Sequence, residues 1–511
     1  MLRDAHERIY HEMYDRADLD LSSNVAGGGH NPNRAELLFH YGRYLLISSS
    51  QPGTQPTNLQ GIWNVDVRPA WSCNFTVNIN TQMNYWPAER VGLGELAEPL
   101  LQFVADGAKQ VGVDAARRYY NANGAVVHHN TDIWHFSSPV QGDPQWANWP
   151  SGLMWLASHL RTHVDFGHAS PNFIAEVALP VLREVVAFEL DMLVDDSSGG
   201  LVVSPSTSPE HRFVTLDGFE ASVSEGVAMD QELVREILDA YIAWADPTDA
   251  VDASLLPRAR IALARLRLPQ IGKSGALLEW YDDKTSSELG HRHLSHLYGL
   301  FPGRRITEGG TPEMFEAVRR SLADRLANGS GYTGWSQAWI LCLSARLRDS
   351  TLAEQSFQGM LDKLTFKSLM VLHPHSGWPE GKVFQIDGNF GVVAGIVELL
   401  VQADREDICL LRTLPPNWRE GSARGLRCIG GHSMDLDWTN GQLATATVHC
   451  AVSAPMVIEV SSDVTSVKIV ADGDLEFYGV PLHSSIPARS RFQWQATKGV
   501  TYGISAQRTR P

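Results

Sequence analysis

The sequence predicts a mainly α-helical fold: a toroid of paired helices followed by a small β-sandwich. Three observations point there. Between residue 33 and about residue 404, amphipathic helical runs alternate with long loops rich in Trp, Pro, Gly, His and Asn. Near residue 405 the pattern changes to alternating, strand-like segments with turn residues between them. The chain has 511 residues, too many for one small core, so two domains, or one large domain plus an accessory, are expected.

The first stretch, MLRDAHERIYHEMYDRADLDL, reads as a charged amphipathic helix and a short extended piece. Gly27-Gly28-Gly29 and Asn31-Pro32 break the chain after it. The run RAELLFHYGRYLLISSS then places Leu37, Leu38, Tyr41, Tyr44 and Leu45 on one helical face, and Pro52-Gly53 ends it. A short helix is expected near Met83. Further candidates are Gly92–Gly112, Gly152–Phe166, Ile174–Val194, Asp230–Trp244, Ser254–Leu266, His293–Leu300, Pro312–Asn328, Gly334–Arg346, Leu352–Lys363 and Gly391–Val401. No repeat of constant period is visible, which argues against an even solenoid. In the C-terminal part, Asn440-Gly441 between alternating segments is a strong hairpin signal. The expected boundaries are 1–32, 33–406 and 407–511.

The totals exclude several functions. A formal charge of −16 leaves no basic field for nucleic acid. No apolar run is long enough to span a membrane, and no signal-peptide core opens the chain. Cys73, Cys342, Cys409, Cys428 and Cys450 are scattered, without disulfide-scaffold or zinc spacing. Buried free thiols in a reducing, cytoplasmic setting are the expectation. There is no GxSxG elbow, GxGxxG or P-loop. His291, His293 and His296 suggest a metal at first sight, but no further ligand spacing accompanies them. No metal and no cofactor are expected.

The stretch WSCNFTVNINTQMNYWPAE carries the chemistry. If Thr76 to Asn80 is extended, Thr76, Asn78 and Asn80 share one side while Val77 and Ile79 anchor the other. Two amides two residues apart can hold a water or a sugar hydroxyl. The plainer reading is that Asn80 or Thr81 caps the next helix. Two carboxylates stand in loops beside Gly, Pro and aromatic residues: Glu210 in SPSTSPE and Asp387 in FQIDGNFG. Fifteen tryptophans and many Asn, His and Arg in loops suit a carbohydrate, with polar forks for hydroxyls and rings for apolar faces. Glycosidases commonly flank the scissile bond with two such carboxylates. Each could instead fix a loop, and Asp387 could cap the helix after it.

The motifs TQPTNLQGIWN, NINTQMNYWPAE, HHNTDIW, WPSGLMWL, SPSTSPE, HRHLSHLYGLFPG, GWSQAWILCLSARL and FQIDGNFGVVAGIVELL together resemble glycoside hydrolase family 95, which holds inverting α-L-fucosidases and α-L-galactosidases. The resemblance runs along essentially the whole chain. It implies a helical linker over 1–32, an (α/α)6 barrel and a C-terminal β-sandwich, without the family's N-terminal β-sandwich. It implies Glu210 as general acid, and Asn78 and Asn80 as the amides that position the attacking water, assisted by Asp387. Arg292, His293, Trp134 and Trp149 are implied as sugar contacts. Thr76 bears on specificity, since a small hydroxyl-bearing residue leaves room for the extra oxygen of L-galactose. Glu210 would have to be protonated at working pH, through burial or a nearby negative charge. The implied substrate is an oligosaccharide or glycoconjugate. A phosphorylase of the same architecture, and a carbohydrate-binding protein without activity, are the alternatives.

Overall fold

The structure is a computed structural model that describes residues 2–22, 31–403, 407–486 and 488–508. Helices dominate as far as Leu400, and strands from Val401 onward. The expected break at Gly27-Gly28-Gly29 lies outside the described residues.

The helix Leu2–Tyr14 leads into the strand Asp18–Asp20. That strand pairs antiparallel with Gly421–Arg427. The N-terminal segment is therefore more than a linker, because it supplies one edge of a C-terminal sheet.

The helix Asn33–Ser49 forms as expected, but its inward face differs. Leu38 and Leu45 are buried with Ala35, Phe39 and Leu46, whereas Leu37 is 52% exposed and Tyr44 39% exposed. Gly42 explains the rotation. A Cβ there would stand 2.5 Å from Val393 Cγ2 and 2.7 Å from the Asn389 carbonyl oxygen. The helix thus presses its backbone onto Asp387–Leu400, and the face around Gly42 turns inward. Tyr41 and Tyr44 lie round the side, stacked on each other at 6.0 Å, with Tyr44 against Tyr10 of the first helix at 6.2 Å.

The first long helix therefore packs on Asp387–Leu400, which also packs on Gly334–Arg346. In the middle of the region, Leu179–Met192 packs on Ala228–Trp244 and Ala250–Arg265, and Gly152–Asp165 on Ala228–Trp244. Glu398, 0% exposed, accepts from Arg90 Nη1 and Arg346 Nε, each at 2.5 Å. This buried triad fixes the last helix against its neighbours. Its removal from water offsets much of its attraction, so its contribution is specificity of packing rather than large net stability.

Three helical expectations change. Gly92–Gly112 divides into the 3-10 turn Gly94–Ala97 and the helices Glu98–Gly107 and Gln110–Tyr120. Ile174–Val194 begins with the π turn Ile174–Ala178 before the helix Leu179–Met192. Pro180 has no amide hydrogen to donate to the turn below it, and the wider turn absorbs that loss. Of His293–Leu300, only Ser295–Leu297 is helical, as one 3-10 turn.

Among the described residues, the C-terminal part has two sheets. The larger runs Asp18–Asp20, Gly421–Arg427, Ser433–Thr439, Gln442–His449, Thr501–Arg508, Val464–Ala471 and Leu475–Tyr478 in spatial order. The smaller runs Val401–Gln402, Asp407–Leu410, Ala454–Ser461, Arg489–Ala496 and Val480–Leu482. Their inner side chains share a core, with Trp494 of one sheet against Tyr502 of the other at 5.9 Å. Asn440 and Gly441 make the hairpin turn with φ of 53° and 72°, both left-handed as a type I′ turn requires.

Candidate active site

The site is built on the residues that follow Phe75. The strand Phe75–Thr76 pairs with Asn130–Thr131, and the extended run stops there, earlier than the alternation suggests. The Val77 N–H donates to His129 O at 2.7 Å. Gln82 Nε2 donates to Val77 O at 2.6 Å, and Thr81 Oγ1 to Thr76 O at 2.9 Å. Val77 and Ile79 are buried in the core. The turn is held by its backbone and its apolar side chains, so its amides are free to serve another purpose. Asn80 opens the helix Asn80–Tyr85, but no side chain caps that helix. The plain capping reading of Asn80 and Thr81 does not hold.

Each amide reaches a carboxylate. Asn78 Nδ2 donates to Glu210 Oε1 at 3.0 Å. Asn80 Nδ2 donates to Asp387 Oδ2 at 2.5 Å. An ionised carboxylate only accepts, so the amide nitrogens face the acids and the amide oxygens point elsewhere. Asn78 Oδ1 is buried and has no protein partner.

Glu210 sits at a left-handed position, φ 55°, with its N–H donating to Gln145 O at 2.9 Å. Its loop is clamped from beneath. Ser206 Oγ donates to Asp230 Oδ2 at 2.6 Å, and Ser208 Oγ to Glu279 Oε1 at 2.5 Å, both buried. The Glu210 side chain is 21% exposed. Arg292 Nη2 donates to Glu210 Oε2, and His293 Nε2 lies 3.6 Å from the same oxygen. Burial pushes the Glu210 carboxyl up, but the Arg292 cation, His293 and the Asn78 amide outweigh it and hold the group well below the usual carboxylate range. Of the two expected routes to a protonated acid, burial is at work, but the neighbouring charge is a cation rather than an anion.

Asp387 is the opposite case. It is 0% exposed at the start of the helix Asp387–Leu400, with Gly388 N–H donating to Oδ1 at 2.7 Å. A Cβ on Gly388 would stand 2.9 Å from the Gly334 carbonyl carbon, so two helix N-termini meet closely and exclude water there. Burial pushes the Asp387 carboxyl up to about 7, against the Asn80 bond that lowers it. One carboxylate is therefore held ionised while the other is poised near neutrality.

His293 is 1% exposed and packs edge-on against Trp335 at 4.7 Å. The rings of His211, His291 and His293 stack at 4.2 and 5.2 Å instead of converging on a point. Among the described residues, no group of three or more His, Cys, Asp or Glu is arranged to hold a metal ion.

Other sequence candidates are dispersed. The Thr76 hydroxyl donates to Asn74 Oδ1 at 3.0 Å. Trp149 is 0% exposed, and its indole N–H donates to Asp230 Oδ1 at 3.2 Å. It has no face to offer a sugar; it braces the carboxylate that holds the Glu210 loop. Trp134 is 78% exposed, on a turn whose amides bond Asp132. Two histidines that sequence reasoning did not single out interact electrostatically with the acid. His129, buried with Nδ1 unpartnered, feels Glu210 and His293. His373 feels Arg292 and Glu210. Burial lowers both to about 4, so both are neutral rings near pH 7. The signal for His129 was its place in HHNTDIW, beside the strand partner of Thr76. A cleft of about 530 Å³ between the helical region and the C-terminal sheets lies elsewhere, and its Glu308, Arg412, Glu459, Asp407 and Arg491 pair with one another.

Residues 1–400 match the glycosyl hydrolase family 95 catalytic domain, and residues 402–504 match the glycoside hydrolase family 95 C-terminal domain. Alpha-L-fucosidase 2 of Arabidopsis thaliana is 38% identical over 81% of this chain and 49% of its own length. "Probable alpha-fucosidase A" of Aspergillus niger is 32% identical over 83% of this chain and 54% of its own. The chain thus spans about half the length of the curated relatives it matches. The solved structure of "Putative kojibiose phosphorylase from human microbiome" shares the fold with a TM-score of 0.60 at 9% identity, covering 96% of this chain and 64% of that one. The chain belongs to glycoside hydrolase family 95.

Proposed function

We propose that this chain carries the catalytic site of an inverting exo-glycosidase that releases terminal α-L-fucosyl or α-L-galactosyl residues from oligosaccharides. The helices would close into an (α/α)6 toroid, a reading supported by the packing of the first long helix on the last. The observation that carries the function is the double pairing at one turn: Asn78 with Glu210, and Asn80 with Asp387. It links two carboxylates of opposite electrostatic character to one rigid backbone segment.

In this reading Glu210 is the general acid and protonates the leaving oxygen. Water attacks from the opposite face, so the anomeric configuration inverts, with about 6.5–9.5 Å between acid and water-side group. An amide oxygen alone is a poor base. A carboxylate that accepts from the amide N–H pushes electron density toward the amide oxygen, which then polarises the water. Asp387 takes the proton, and a pKa near 7 suits a base working near neutrality. Arg292 holds Glu210 ionised in the free chain. A sugar hydroxyl that draws Arg292 away leaves Glu210 buried beside His293 and able to take up a proton. The likeness to a phosphorylase concerns the fold alone, and activity without added phosphate separates the two reactions.

Glu210→Gln is expected to lose roughly 10²–10⁴-fold in turnover of fucosyl oligosaccharides, the usual scale of general acid catalysis. Steady-state assays check this, and a loss below about tenfold would place the acid elsewhere. Thr76→His is expected to shift preference toward the fucoside when aryl α-L-fucoside and aryl α-L-galactoside are compared. An unchanged ratio removes Thr76 from specificity. A third test uses stability. The folded state raises the Asp387 pKa from 3.8 to about 7, so it binds that proton more tightly than the unfolded chain does. The stabilisation is complete below about pH 4 and is lost as pH rises through about 7. Asp387→Asn lacks this titration. Its melting temperature should therefore gain on wild type between about pH 4 and pH 7. A constant difference contradicts the assignment.

A further inference from the structure

One part of the WSCNFTVNINTQMNYWPAE stretch is not used by the mechanism. Trp71, Ser72 and Cys73 all have left-handed backbones, with φ of 50°, 56° and 48°. Residues other than glycine adopt this conformation at a steric cost, and such residues persist where the surroundings enforce the shape. Ala70 and Cys73 are buried at 2% and 9%, and Cys73 Sγ donates to Asn58 Oδ1 at 3.2 Å. The loop is anchored at both ends, yet Trp71 between them is 40% exposed.

Trp71 meets two rings of the segment that precedes Asp387. His373 is 5.1 Å away at 72°, and His375 is 5.0 Å away at 62°. His375 in turn meets Trp378 at 5.2 Å. The two imidazoles are chemically unlike. His373 Nδ1 lies 2.6 Å from the Pro374 carbonyl oxygen, so Nδ1 carries the proton and Nε2 is an acceptor. His375 Nδ1 accepts the Gly377 N–H at 3.1 Å, so its Nε2 is a donor. One donor and one acceptor beside an exposed indole match a pyranose, which has an apolar C–H face and hydroxyls at its edge.

Position decides which sugar. The acid must face the glycosidic oxygen, so the leaving group lies on the Glu210 side, and the water lies on the Asn80–Asp387 side. Trp71 leads into the strand Phe75–Thr76 and meets the segment that leads into Asp387, so the aromatic group borders the site. Asn78, Asn80, His293 and Asp387 around the reacting sugar are buried whereas Trp71 is exposed, which puts this group at the open end, where the leaving group of an exo-enzyme extends. We infer that Trp71, framed by His373 and His375, is the platform on which the leaving-group sugar of the oligosaccharide stacks. This rests on the hydrolase reading given above.

The test compares an oligosaccharide substrate with the matching glycosyl fluoride, whose leaving group is too small to touch the platform and needs no proton. Trp71→Ala should lower kcat/KM for the oligosaccharide about fivefold to tenfold more than for the fluoride, the scale of one aromatic contact. Trp71→Phe should recover most of that difference. Turnover of the fluoride by each variant also reports that it has folded. Equal losses on both substrates, or no loss on either, overturn the platform while leaving the hydrolase reading intact. A wild-type chain that fails on the fluoride as well overturns both.

Discussion

Two carboxylates anchored to one short turn, in unlike surroundings, are the constraint on which the rest of the structure depends. Val77 and Ile79 sit in the core, and the backbone of the turn is bonded to His129 and Gln82. The amides therefore cannot drift independently of each other. Glu210 and Asp387 arrive from segments far away in sequence, yet each closes on its own amide. In the proposed reaction, a sugar between them meets an acid and a water-polarising group whose separation is set largely by the backbone. Such preorganisation lowers the cost of reaching a transition state, because the dipoles do not have to turn during the reaction.

The supporting structure follows from the need to keep one acid dry and the other charged. Gly388 and Gly334 let two helix ends approach closely, and Asp387 loses all contact with solvent. Glu210 keeps partial exposure and a guanidinium. Beneath its loop, Asp230 gathers Trp149, Ser151 and Ser206, while Glu279 gathers Ser208, His211 and Arg325. These buried carboxylates do no chemistry in the proposed reaction. They hold a strained proline-flanked loop so that a left-handed Glu210 points at Asn78.

Periodicity made much of the helical region legible, and the Asn440-Gly441 hairpin followed from residue type alone. Side-chain meetings across long sequence separations were not legible in that way. Asn80 and Asp387 are 307 positions apart, and no spacing rule connects them. Their association was available only through the family motifs. Residue type also misled where burial decides. Leu37 and Tyr44 looked like core and lie at the surface, and Trp149, implied by the resemblance as a sugar contact, is wholly buried. In the first case Gly42 turned the helix, an effect of close backbone approach that hydrophobic patterning does not record. The cation beside Glu210 was visible as Arg292 in HRHLSH, but its effect on the acid required the fold.

The geometry makes one stereochemical demand. If water held by the Asn78 and Asn80 amides attacks opposite the Glu210 side, the sugar released from an α-L-linked substrate must first appear as the β anomer. Proton NMR during the first minutes of hydrolysis, before mutarotation, reads this directly. An initial β signal that decays toward equilibrium is the predicted result. An initial α signal would mean a retaining, two-step route and would contradict the assignment of the amide-held water.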